Sequence, residues 1–294
     1  MEHFNKPYKV DNAIILAAGL GSRFIPLSFE IPKGLIPLKG QPMIERQIEQ
    51  LLDAGISEII IVTGCMSEKF EYLKEKYRSI QLVYNPDYAV KNNLFSVYYA
   101  RQFLKNSYIL SSDNWIQDNV FHDKEEHSWY SCVYSEGPTK EWCVRTDDAG
   151  RITAVTVGGA DAWYMYGPVF LSKNFTRPFK RILEQYARKP GTETLFWEDV
   201  FLQNIDKLRL FINKQSDKNI FEIETMEELR QFDSEYGYNT GNGALATICK
   251  VLHISEKDIL QIRPLKSDKS GSAFSFTALG NEYMYKHPGV VIPA

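Results

Sequence analysis

Ala13-Ile14-Ile15-Leu16-Ala17-Ala18-Gly19-Leu20-Gly21-Ser22-Arg23-Phe24 opens with six consecutive apolar residues broken by glycine. A continuous apolar run of this length is the pattern of a strand buried on both faces, as in a parallel sheet covered by helices. Downstream, Met43, Ile44, Ile48, Leu51 and Leu52 recur at helical spacing, Gly55 stops that helix, and Glu58 to Thr63 (EIIIVT) forms a second buried run,. Strand, helix, strand is a βαβ unit. The alternation continues with a helix over 67–77, a strand over 81–84, a helix over 94–103 and a strand over 107–110 that ends at Ser111-Ser112-Asp113-Asn114. This rhythm predicts an α/β, Rossmann-like fold with a mostly parallel central sheet and helices on both faces.

After about residue 120 the rhythm changes. Short strands over 129–134, 143–146 and 151–157, with a turn at Asp147-Asp148-Ala149-Gly150, predict an antiparallel excursion,. Helix and strand return between 174 and 223, and Met226 to Phe232 closes the domain as a helix. Glu235 to Gly243 (EYGYNTGNG), with three glycines and two asparagines, is expected to be a linker,. Expected boundaries are therefore 1–234, a linker over 235–243, and a segment 244–294 that ends in a small β-hairpin turning at Gly280-Asn281.

Composition narrows the function. A chain of 294 residues, 44% hydrophobic, buries a substantial core,. Lys+Arg 34 against Asp+Glu 37 leaves a net charge of −3, which argues against a nucleic-acid or membrane partner and for a small one,. Cys65, Cys132, Cys143 and Cys249 lack CxxC spacing and are expected as free thiols in a reducing cytoplasm,. No apolar run approaches the roughly 20 residues of a membrane helix.

The glycines after the first strand let backbone N–H groups approach phosphate oxygens, and Arg23 and Lys33 can neutralise phosphate charge. A strand-to-helix turn also calls for glycine on backbone grounds alone. The third glycine of a dinucleotide fingerprint and the Gly-Lys-Ser/Thr of a Walker loop are both missing.

The full string Leu16 to Phe24 (LAAGLGSRF), followed by Pro32-Lys33, resembles the signature of the sugar-nucleotide and phosphocholine nucleotidyltransferases. Asn85-Pro86-Asp87-Tyr88, Asn92 to Ser96 (NNLFS) and Asn106 to Asn114 resemble the bacterial phosphocholine cytidylyltransferase branch, and the likeness spans about 12–233. It implies nucleotide contacts from Ala17, Ala18, Gly19, Gly21, Ser22, Asn85, Asn93 and Ser96, with Arg23 and Lys33 as the catalytic cations. It also implies Mg²⁺ held by Asp113 with Glu222 and Glu224, two glutamates that alternate with apolar residues and so share one strand face from which both could reach one ion. Helix caps and turns are the competing reading of the asparagines, and the wet face of an edge strand that of the glutamates.

The implied reaction is attack by an acceptor phosphate oxygen on the α-phosphorus of CTP, with phosphocholine as acceptor and no protein nucleophile. A quaternary ammonium cannot donate N–H hydrogen bonds, so its pocket needs aromatic faces and a carboxylate. Trp142, Tyr164, Tyr166, Trp197, Glu198 and Asp199 are the expected substrate-binding residues. Phosphoethanolamine, 2-aminoethylphosphonate or a sugar 1-phosphate as acceptor, and a non-catalytic nucleotide-binding module, are the alternatives. A homodimer is a further option.

From Ile254 onward the chain resembles the start of the amino-terminal lobe of choline and ethanolamine kinases, with Lys286 in place of the ATP-facing cation. It ends at Ala294 before a catalytic lobe could fold, so no kinase activity is expected. A packing appendage explains the segment equally well.

Overall fold

The computed structural model describes residues 6–265, 273–286 and 289–293, which form two compact units. The first gathers Met1–Gly19 with Met43–Glu222, the second Leu20–Pro42 with Ile223–Ala294. The expected α/β architecture is present.

In the first unit the continuous apolar runs become the centre of a seven-stranded sheet. Its strands are β1 (Asn12–Ala17), β2 (Ile59–Thr63), β3 (Ile80–Tyr84), β4 (Ser107–Ser111), β6 (Trp129–Thr146), β7 (Ile152–Leu171) and β8 (Phe211–Lys214). The short strands β5 (Asn114–Ile116) and β9 (Ile220–Glu222) pair separately. The sheet order is β8-β6-β7-β4-β1-β2-β3. Pairs β4-β1, β1-β2, β2-β3 and β8-β6 are parallel, while β6-β7 and β7-β4 are antiparallel. Every residue of β2 is buried, as a strand covered on both faces requires,.

Helices α1 (Met43–Asp53), α2 (Tyr72–Lys76), α3 (Asn93–Tyr99), α4 (Lys173–Ala187) and α5 (Trp197–Leu202) complete this unit. Ile14, Ile60 and Val62 of the sheet meet Leu94 and Phe95 of α3, Phe179 and Leu183 of α4, and Trp197 and Phe201 of α5 in one buried cluster.

The excursion differs from expectation. Instead of several short strands it is one long hairpin, β6 and β7, turning at Asp147–Gly150 where Gly150 has φ +81°. Its register shifts between Tyr130 and Cys132, Ser135 and Pro138, and Thr139 and Trp142. Each shift interrupts the alternation of inward and outward residues, so a continuous ribbon looks like fragments in the sequence.

The second unit holds α6 (Met226–Phe232), α7 (Gly243–Leu252) and an antiparallel sheet of β10 (Leu260–Pro264), β11 (Ala273–Ala278), β12 (Asn281–Lys286) and β13 (Val290–Pro293). The hairpin expected at Gly280-Asn281 is β11-β12, flanked by one further strand on each side. Part of the polar segment before it, 266–272, lies outside the described residues.

The glycine-rich stretch 235–243 is tied down at several points. Tyr236 Oη donates to the Pro37 carbonyl at 2.5 Å, Asn242 Nδ2 donates to the Pro26 carbonyl at 3.1 Å, and the Gly243 N–H donates to Glu30 Oε1 at 2.9 Å. Asn242 also caps α7 through the N–H groups of Ala244 and Leu245,. Among the described residues no helix is long and apolar enough to cross a membrane, and the four cysteines are unpaired.

Candidate active site

Strand β1 delivers the start of the candidate phosphate loop. Ala17 and Ala18 are buried, and the Ala18 carbonyl accepts from the Cys65 N–H at 3.3 Å. The backbone approaches so closely here that a Cβ on Gly64 would lie 2.5 Å from the Tyr88 Cβ and 2.6 Å from the Ala18 oxygen.

Asp113 stands just past the carboxyl end of β4, where ligands of open α/β sheets bind,. Ser111 Oγ donates to Asp113 Oδ1 at 2.5 Å. Strand β9 runs antiparallel to β5 with Glu222 opposite Asn114, the residue after Asp113. The Glu222 N–H donates to the Tyr166 hydroxyl at 2.6 Å, and the Tyr166 ring meets Tyr164 edge-on at 5.5 Å. Burial raises both phenols above their ordinary range. Glu222 and the tyrosine pair thus form a connected group, and the strand pairing sets Glu222 opposite the residue that follows Asp113. Tyr166 enters as a backbone-holding hydroxyl as well as an aromatic face.

The polar residues on the proposed base side are held internally. Asn85 Nδ2 donates to Ser96 Oγ at 3.1 Å, and Asn85 Oδ1 accepts from the Asp87 N–H at 2.9 Å, an Asx turn,. Asn92 caps α3. Asn93 Oδ1 accepts from the Trp197 N–H at 2.9 Å, which joins the start of α3 to the start of α5.

Around α5 the aromatic candidates separate by environment. Trp197 is 2% exposed, stacked on Tyr130 at 6.0 Å and edge-on to Phe179 at 5.9 Å, so its indole is packed among its neighbours. Trp142 is half-buried and meets the exposed Phe196 edge-on at 6.0 Å. Asp199 Oδ2 accepts from the Phe196 N–H at 2.8 Å, an N-terminal helix cap,. Glu198 is the unusual group. Tyr130 Oη donates to its Oε1 at 3.2 Å, the Asn93 side chain also stabilises the ionised form, and burial outweighs both, pushing the carboxyl up to about 7,. Tyr130 was not singled out by the sequence, because its pairing with Glu198 spans 68 residues and leaves no local pattern.

In the second unit the loop continues through Gly21 into a turn over Ser22–Phe24. Gly21 has φ +63°, and a Cβ there would lie 3.2 Å from the Ser28 Cβ, so this position requires glycine,. Lys33 Nζ stands 5.2 Å from the Phe24 ring centroid. Arg23 Nη1 pairs with Glu224 Oε2.

The strand expected to carry both glutamates includes Glu222 but not Glu224. Strand β9 stops at Glu222, because Thr225 and Glu228 build a capping box that starts α6 at Met226,. Among the described residues no group of three or more His, Cys, Asp or Glu side chains could hold a metal. Mg²⁺ ordinarily needs only one or two carboxylates beside substrate phosphates, a donor set that Asp113 with Glu222 fits.

A mostly parallel sheet with a glycine loop after its first strand and a carboxylate beyond a neighbouring strand is the design of an enzyme that works on nucleotide phosphates. Residues 12–154 match the family model described as nucleotidyl transferase. The chain is 37% identical over 230 residues to a 2-aminoethylphosphonate cytidylyltransferase of Lancefieldella rimae, covering 77% of this chain and 94% of that one. It is 33% identical to a choline-phosphate cytidylyltransferase of Streptococcus pneumoniae, covering 75% and 96%. The solved CTP:phosphocholine cytidylyltransferase of Streptococcus pneumoniae superposes with a TM-score of 0.74 at 33% identity, over 78% of this chain and 99% of that one. The chain belongs to the nucleotidyl transferase family and is a nucleotidyltransferase.

Proposed function

We propose that this enzyme transfers CMP from CTP to phosphocholine, giving CDP-choline and pyrophosphate. The observation that carries the acceptor is Glu198, a carboxyl desolvated beside Tyr130 and pushed up to about 7, on the helix that follows Phe196. A buried carboxyl among aromatic rings suits a compact organic cation. Trp142, Tyr164 and Tyr166 offer ring faces for the methyl groups, while Trp197 backs Tyr130.

In the proposed reaction an acceptor phosphate oxygen forms a bond to the α-phosphorus, and the bond to the β-phosphate bridging oxygen breaks with its electron pair leaving on pyrophosphate. The acceptor phosphate is already ionised near neutral pH, so the chain needs to supply position and positive charge. Arg23 and Lys33 neutralise the triphosphate, assisted by the N–H groups of the loop from Ala17 to Ser22. Asn85, Asn93 and Ser96 border the nucleoside. Asp113 and Glu222 would hold Mg²⁺, which when bound neutralises phosphate charge. The tail's likeness to the opening of a choline or ethanolamine kinase lobe belongs to the same proposal, and the β11-β12 hairpin ending at Lys286 supports it.

A second acceptor, 2-aminoethylphosphonate, is favoured by the relative at 37% identity that bears that name. Glu198 separates the two. A primary ammonium donates hydrogen bonds to a carboxylate, whereas a quaternary ammonium is held by ring faces and charge alone.

The test is pyrophosphate release from CTP and Mg²⁺ with phosphocholine, phosphoethanolamine, 2-aminoethylphosphonate and glucose 1-phosphate in parallel. The highest kcat/KM is expected with phosphocholine, and Glu198→Gln should cost the primary amines more than choline. Turnover confined to glucose 1-phosphate would refute the cation pocket.

A further inference from the structure

Arg23 and Lys33, the two cations proposed to meet the triphosphate, ride on a segment with little structure of its own. Residues 20–42 form three single 3₁₀ turns, Ser22–Phe24, Leu27–Phe29 and Lys33–Leu35, and one pair of two-residue strands. Pieces this short do not hold their shape without outside contacts. Several of those contacts come from residues beyond the stretch, about 12–233, that resembles the cytidylyltransferases.

Asn242 is the centre of them. Its side chain is buried, its Oδ1 accepts from the N–H groups of Ala244 and Leu245 to start α7, and its Nδ2 donates to the Pro26 carbonyl at 3.1 Å. Because Oδ1 is committed to two donors, the amide can point only one way. Beside it the Gly243 N–H donates to Glu30 Oε1 at 2.9 Å, and the Phe29 ring lies 6.0 Å from that of Phe274, a fully buried residue of β11. Pro26, Phe29 and Glu30 all fall between Arg23 and Lys33 in the chain.

We infer that the C-terminal segment from Asn242 to β11 is a positioning element of the transferase, with Asn242 and Glu30 as the residues that hold the turns bearing Arg23 and Lys33. The inference rests on the proposed role of those two cations at the triphosphate. A capped helix start is a fixed point from which to hold a loop, and cations fixed in advance need no rearrangement as charge develops on the phosphates. The segment thereby serves the nucleotidyl transfer itself, independently of its likeness to a kinase lobe.

The experiment uses the full chain and inorganic tripolyphosphate, a probe with neither base nor acceptor, with binding measured by calorimetry in metal-free buffer. Asn242→Ser keeps a good helix cap but is too short to reach Pro26. Glu30→Gln keeps the acceptor for the Gly243 N–H, and Glu30→Ala removes it; both lose the charge, so their comparison isolates the hydrogen bond. Asn242→Ser should bind tripolyphosphate about three- to tenfold more weakly than wild type, and Glu30→Ala about three- to tenfold more weakly than Glu30→Gln, the scale of one net hydrogen bond. In an Arg23→Gln/Lys33→Gln background, Asn242→Ser should have no further effect. Wild-type affinity in folded Asn242→Ser, equal affinities for the two Glu30 variants, or an undiminished loss when both cations are absent would each overturn the inference. Should Asn242→Ser not fold, the Glu30 pair decides, since Glu30 is exposed. If Arg23→Gln/Lys33→Gln itself binds tripolyphosphate like the wild type, the proposed role of the cations fails and the inference with it. A loss there without one in the tethering variants overturns the inference alone.

Discussion

The Trp197 backbone N–H donates to Asn93 Oδ1 at 2.9 Å, across 104 residues of chain. One amide side chain thereby ties the proposed nucleoside side of the site, at α3, to the proposed acceptor side, at α5. Asn93→Ala leaves that N–H without its acceptor, which costs about 1–3 kcal/mol. The midpoint of urea unfolding should fall accordingly, and KM should rise for both CTP and the acceptor. A rise for CTP alone would show that Asn93 does not couple the two sides.

Glu198 predicts a pH dependence. Its carboxyl moves from the ordinary 4.5 to about 7, chiefly through burial. The folded state keeps a proton that the unfolded chain has released, so this group's contribution to stability is complete below about pH 4.5 and is lost as pH rises through about 7,. A shift of this size corresponds to ~3 kcal/mol. Thermal melts from pH 4 to 8 should therefore show Glu198→Gln gaining on the wild type across that window. A constant difference would mean that Glu198 does not titrate there.

Asp113 tests the metal side. Asp113→Ala should lower kcat by about 10²–10³-fold, the scale for removing one electrostatic support of a developing charge. Pyrophosphate release across a Mg²⁺ series measures this, and the loss should persist at saturating Mg²⁺ while the melting temperature changes little. Wild-type turnover would take Asp113 out of the site.

Gly64 is a structural test with a functional readout. An added methyl group would meet the Tyr88 Cβ at 2.5 Å and the Ala18 carbonyl oxygen at 2.6 Å. Gly64→Ala should cost about 1–3 kcal/mol by overpacking, and the displaced Ala18 should weaken CTP binding as well. Denaturation and nucleotide titration on one sample check both, and a variant as stable as the wild type would contradict the close approach.

What could be read in advance follows from how far each interaction reaches along the chain. The buried runs that became β1 and β2 carry their burial in their own residues, so the α/β class was legible from Ala13 and Glu58 onward. The β6-β7 ribbon was not, since its bulges break the period that identifies a strand. The end of β9 is written locally: Thr225-Met226-Glu227-Glu228 has the spacing of a capping box, which separates Glu224 from the strand that carries Glu222,. Tyr130 with Glu198, and Asn93 with Trp197, meet only after folding, and neither partner announces the other.

Residues 20–42 find their hydrogen-bond partners far downstream. Pro26 meets Asn242, Glu30 meets Gly243, Pro37 meets Tyr236, and the Lys39 N–H reaches Asp233 Oδ2 at 2.7 Å. During synthesis this segment leaves the ribosome roughly 200 residues before those partners exist, a delay of about 10–40 s at ordinary elongation rates. The strands and helices up to Glu222 can condense meanwhile, so the segment bearing Arg23 and Lys33 is fixed after them, and the nascent enzyme stays unable to grip polyphosphate until the stretch from Asp233 to Gly243 has emerged.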